Sequence, residues 1–133
     1  RGRKWREVGF VWVSLSLVKR EADLRIDPKF TAMDDYQFTA EQLLRHGAVL
    51  INGYVWADKR FYEAGGAGAK DGRLQRKVQE VDWLIEMYPG LYRRANRANS
   101  APGAEVRMRM NSRQQIEKWR AQMRTETGIT TDA

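Results

Sequence analysis

Arginine carries most of the chemistry this chain can offer. Of 24 basic side chains, 17 are arginine, and the basic residues gather at 1–6, 73–77, 93–97, 107–113 and 118–124. A guanidinium is planar, permanently charged and forked, so it meets phosphate through two parallel N–H donors. Rows of such groups neutralise phosphates and release condensed counterions without reading a base sequence. The residues expected to do this are Arg1, Arg3, Lys4, Arg6, Arg73, Arg76, Lys77, Arg93, Arg94, Arg97, Arg107, Arg109, Arg113, Arg120 and Arg124. Aromatic side chains that suit nucleic acid, Trp5, Tyr92 and Trp119, lie close to these clusters.

The charge is segregated. Residues 1–6 carry +4, residues 7–90 carry −2 and residues 91–133 carry +5, for a formal total of +7. A near-neutral middle with basic ends points to a polyanionic partner rather than to an evenly solvated surface. Nothing marks a base-reading element: helix-turn-helix and zinc-finger spacings are absent. Arginine contacts without a reading helix suggest packaging more than regulation.

Other chemistry is thin. The chain has no cysteine, which excludes disulfides, thiolate nucleophiles and cysteine-ligated zinc. The single histidine, His46, sits beside Gly47 in a helical pattern and reads as structural. Asp58 falls on an apolar helix face and is expected to pair with Arg25, Arg73 or Arg76. Residues 64–72, AGGAGAKDG, place Gly65, Gly66, Gly68 and Lys70 together. They lack the Walker spacing and a preceding strand, so they read as a turn between helices. No enzyme activity, cofactor, metal or small-molecule substrate is expected.

The elements that must position the arginines follow from periodicity. Residues 36–63, YQFTAEQLLRHGAVLINGYVWADKRFYE, keep Tyr36, Leu43, Leu50, Tyr54 and Phe61 within a narrow arc at 100° per residue. This predicts one long amphipathic helix, capped by Asp34 or starting at Thr39 with Gln42. A second apolar line on its back holds Phe38, Val49 and Trp56. Residues 72–88 predict a second helix, with Leu74, Val78, Val81, Ile85 and Tyr88 on one face and Trp83 and Met87 on the back; Pro89-Gly90 ends it. Arg93, Arg94 and Arg97 are expected to share a short helical turn. Residues 105–111, EVRMRMN, alternate and predict an extended segment with one basic edge. Ser112 and Gln115 open a last helix to about Thr127, with Ile116, Trp119 and Met123 as its narrow apolar stripe.

The uncharged run 8–18, VGFVWVSLSLV, is too short to span a bilayer and predicts a helix over about 5–24. A helix apolar all round has to be enclosed, which a domain of this size rarely does alone. Residues set on the back faces or in this run are expected at subunit interfaces: Trp12, Phe38, Val49, Trp56, Trp83, Met87 and Trp119. The predicted architecture is all-α, a small helical bundle built on the 36–63 and 72–88 antiparallel hairpin. Residues 1–7 form a basic N-terminal arm, residues 8–127 one helical domain and residues 128–133 a loose tail.

This plan resembles the major coat proteins of filamentous and rod-shaped viruses of hyperthermophilic archaea. The features that match are the basic opening RGRKWR, the apolar run VGFVWVSLSLV, the long paired helices, the arginine clusters and the missing cysteine. The likeness is one of plan rather than of motif. It implies small helical subunits, identical or related in pairs, that wrap double-stranded DNA within a virion capsid filament. The expected partners are therefore nucleic acid, with duplex DNA favoured over RNA, and a second copy or a related subunit. A nucleoid- or ribosome-associated DNA- or RNA-binding protein, and a protein-interaction module, are the alternative readings.

Overall fold

The computed structural model describes residues 5–10, 26–52, 72–96 and 101–127. In chain order the elements are β1 (Trp5–Arg6), α1 (Asp34–His46), β2 (Ile51–Asn52), α2 (Arg73–Met87), β3 (Tyr92–Ala95), β4 (Glu105–Met108) and α3 (Arg113–Thr127). Among the described residues, two antiparallel two-stranded ribbons accompany three helices: β1 pairs with β2, and β3 with β4. The fold is therefore mixed α and β, which corrects the all-α bundle expected from periodicity. No helix among the described residues is long and apolar enough to cross a membrane.

The long 36–63 helix is replaced by a shorter one. α1 stops at His46, with Gly47 in the left-handed conformation at φ 72° donating its N–H to Leu43 O. Glycine at this position is the common helix stop, and basic residues Arg45 and His46 occupy the last turn, where they suit the dipole. Gly47 is also crowded: a Cβ there would run into the Glu117 and Arg120 side chains of α3. The chain then turns extended, and Leu50, expected on the buried arc, is 73% exposed. Residues 53–71, with Trp56, Asp58 and the glycine-rich stretch as far as Asp71, lie outside the described residues, as does most of the apolar run, including Trp12.

The other helices match expectation. α2 ends at Met87 before Pro89-Gly90, and buries Val81, Leu84 and Tyr88. Its expected contact Leu74 is exposed instead. α3 buries Ile116, Trp119 and Met123, the predicted stripe. Ser112 Oγ accepts from Gln115 N–H, while the Gln115 carbonyl oxygen reaches back to Asn111 N–H. The core joins these faces to Leu43 and Leu44 of α1, Leu91, and Tyr92 and Val106 of the β3–β4 ribbon. α1 packs on α3, and α2 packs on that ribbon.

Glu80 ties the helices together. It is fully buried on α2, yet each carboxylate oxygen accepts two hydrogen bonds. Thr31 N–H and Oγ–H donate to Oε1 at 2.9 and 3.1 Å; Ala32 and Met33 N–H donate to Oε2 at 2.8 Å each. Met33 is the N-cap of α1 and offers no side-chain cap. The carboxylate therefore does what a capping side chain would, where backbone N–H groups and the helix dipole favour an anion.

Candidate nucleic-acid interface

The β3–β4 ribbon decides which arginines face outward. Its register sets Tyr92 opposite Met108, Arg93 opposite Arg107, Arg94 opposite Val106 and Ala95 opposite Glu105. Opposed residues share a face of an antiparallel pair. Tyr92 and Val106 are buried, so their face turns to the core. Arg93 and Arg107 stand together on the other face, both exposed. Pairing continues past the strand, because Arg109 N–H donates to Leu91 O at 2.9 Å. By alternation Arg109 follows Arg107, two residues and about 7 Å further along, at the end of the ribbon opposite the buried Leu91 and itself exposed.

These three guanidinium groups have no acidic partner among the described residues. Like charges set directly opposite one another destabilise a sheet. The ribbon holds them regardless, anchored from behind. Tyr92 OH donates to Tyr36 O at 2.8 Å, and Tyr36 stacks edge-on against Tyr92 with ring centroids 5.9 Å apart. Burial pushes the Tyr92 hydroxyl well above its usual range. Arg93 and Arg94 were expected on a helical turn; they are in a strand, which sends them to opposite faces.

Most other sequence-expected cations have structural work. Arg94 pairs with Asp82 and donates to Gly103 O. Lys77 Nζ lies 2.7 Å from Glu105 Oε1, neutralising a buried carboxylate. Arg76 donates to Thr31 Oγ1 beside Glu80. Arg120 is no surface contact: its guanidinium donates to Leu44 O at 2.8 Å, Arg45 O at 2.5 Å and the Glu117 carboxylate. It closes the carbonyl end of α1, where a cation meets the negative end of the dipole. Arg73 is partly exposed at the start of α2. Arg6 is exposed in β1, Arg113 is exposed with Glu7 4.0 Å away, and Arg124 is exposed on α3. Arg1, Arg3, Lys4 and Arg97 lie outside the described residues.

The expected interface residues also divide. Phe38, Val49 and Trp119 are core residues, Trp119 only 2% exposed with its indole N–H donating to Pro89 O at 2.9 Å. Trp83 and Met87 are half-buried against the core. Trp83 packs edge-on against Phe30, with the Lys29 ammonium 5.5 Å from its ring. The exposed large apolar side chains among the described residues are Trp5, Ile26, Leu50 and Leu74.

Lys118, the first residue of the 118–124 basic cluster, joins Arg109 at a shallow groove where the ribbon meets α3. Gly90, Arg109, Met110, Gln115, Lys118, Trp119 and Gln122 line it, around about 370 Å³. Gln115, Lys118, Trp119 and Gln122 fall on one side of α3. No group of three or more histidine or acidic side chains that could hold a metal occurs among the described residues.

No protein-family model matches the chain, and no curated protein or solved structure matches it.

Proposed function

We propose that this protein binds nucleic acid by its phosphates, without reading base sequence, through the outer face of the β3–β4 ribbon. One observation carries the reading: Arg93 and Arg107 face each other in register, with Arg109 next in line, all exposed and none paired with an acid among the described residues. Such a triad costs the fold stability and is relieved by an external anion. Phosphate on a flexible polymer is the anion that suits several forks in a row. Arg6, Arg113 and Arg124 add positive charge elsewhere on the surface.

Binding should therefore be similar on unrelated sequences and fall steeply with salt. Competition with scrambled duplexes at two salt concentrations tests this. A preference beyond about a thousandfold for one sequence, in the range of specific binders, would contradict it.

A coating role, in which copies associate along the nucleic acid, is the second reading. Trp5 and Leu50, 51% and 73% exposed, support it. They share the outer face of the β1–β2 ribbon, because Val8 and Val49 occupy the inner one. Light scattering at rising concentration, with and without DNA, tests it; a monomer under both conditions would remove it.

A further inference from the structure

The groove beside the ribbon has a composition of its own. Arg109 and Lys118 stand at it without an acidic partner among the described residues. Gln115 and Gln122 reach it from α3 with one hydrogen-bonding group each already used. The Gln115 carbonyl oxygen accepts from Asn111 N–H, which leaves its NH2 free to donate. The Gln122 NH2 donates to Glu126 Oε1, which leaves its carbonyl oxygen free to accept. Met110 and Gly90 supply apolar surface; Trp119 lies beneath, 2% exposed, its indole N–H already committed to Pro89 O. The groove thus offers two cations, one neutral donor, one neutral acceptor and an apolar wall.

That set matches one nucleotide with its base unpaired. The phosphate takes the two cations, the base edge takes the two amides, and the apolar face of the base or sugar lies on Met110 and Gly90. A base pair is too large, and the Watson–Crick edges that the two amides would take are already spent on its partner strand. Arg109 belongs both to the ribbon's outer row and to the groove, so a strand tracked along Arg93 and Arg107 arrives there directly. We infer that the groove is a subsite for a single unpaired nucleotide, so that single-stranded nucleic acid or a frayed end binds more tightly than closed duplex. This rests on the ribbon reading and adds the class of nucleic acid to it.

The test uses the full chain with three probes: a single-stranded oligonucleotide, a closed hairpin duplex of the same length, and adenosine 5′-monophosphate as competitor. Lys118→Gln is the decisive variant, because Lys118 lies at the groove and off the ribbon, and its exposed side chain has no structural bond to lose. Circular dichroism and thermal melting of the variant provide the folding control. The expected result is a loss of about tenfold in single-strand affinity, the scale of one charge-assisted contact, with less than a twofold change on the hairpin. Millimolar monophosphate should displace the single strand and leave the hairpin bound. Equal losses on both probes would make Lys118 one more phosphate contact and overturn the subsite. Displacement of the monophosphate by a hexaglutamate peptide as readily as by the single strand would overturn it in favour of an acidic peptide. If the wild type holds the hairpin while single-strand binding ignores Lys118, the subsite falls and the ribbon reading stands. If it holds neither probe at low salt, both fall.

Discussion

Glu80 links backbone groups up to 49 residues away in the chain. Its sequence signal is weak, because a glutamate on α2 looks like one more solvated charge until its neighbours Val81 and Leu84 prove to be buried. Glu80→Gln replaces one acceptor oxygen by an NH2 that cannot accept from Ala32 and Met33 N–H. The expected cost is about 3 kcal/mol, from lost charged hydrogen bonds and stranded backbone donors. Urea unfolding measures it, and a loss under about 1 kcal/mol would deny the carboxylate its capping role. The tyrosines give a pH signature. Burial, and then the Glu41 carboxylate that accepts from its hydroxyl at 2.6 Å, push Tyr88 above its usual range. Burial does the same to Tyr92. A raised phenol pKa means the folded state holds protons that the unfolded state releases. The associated stability is full below about pH 10, the unfolded value, and is lost as pH climbs above it. Thermal melting between pH 8 and 11 should fall steeply at the top of that range, and Tyr92→Phe should flatten the fall. An unchanged profile in that variant would place the alkaline transition elsewhere.

At the scale of elements, legibility followed local punctuation. α2 and α3 could be read because Pro89-Gly90 and Ser112 mark their limits and their apolar residues keep helical phase. β4 could be read because Val106 and Met108 alternate with Arg107 and Arg109. β3 could not, because its second inward position holds Arg94, whose exposed guanidinium is held by Asp82 and Gly103, partners invisible in the local pattern. α1 was overextended because Leu50 and Ile51 keep helical phase past Gly47 by coincidence, and that outweighed a clear stop signal. Gly47→Ala tests the stop. A left-handed alanine costs about 1–2 kcal/mol, and displacement of Glu117 and Arg120 adds to it. A variant as stable as the wild type would show that the turn tolerates a side chain. The ribbon gives a test with two opposite signs. Arg93→Thr removes a like charge directly across from Arg107, so stability should rise by about 0.5 kcal/mol while nucleic-acid affinity falls. A variant that loses both stability and affinity would make Arg93 structural.

For the whole molecule, charge segregation was legible and its use was not. The clusters were visible in composition, but Lys77, Arg94 and Arg120 turned out to neutralise carboxylates or close carbonyls. Only tertiary structure could separate these from Arg93, Arg107 and Arg109, because the separation depends on acids and carbonyls distant in sequence. Three arginines are therefore expected to carry phosphate binding while the bonded ones carry the fold. The most direct measurement is the salt dependence of affinity for one duplex, comparing wild type with Arg93→Gln/Arg107→Gln/Arg109→Gln. At about 0.9 units of log affinity per log salt for each phosphate contact, the slope should flatten by about 2.7 units. Thermal stability should hold or rise. An unchanged slope in a folded triple variant would contradict the assignment and move the phosphate contacts off the ribbon.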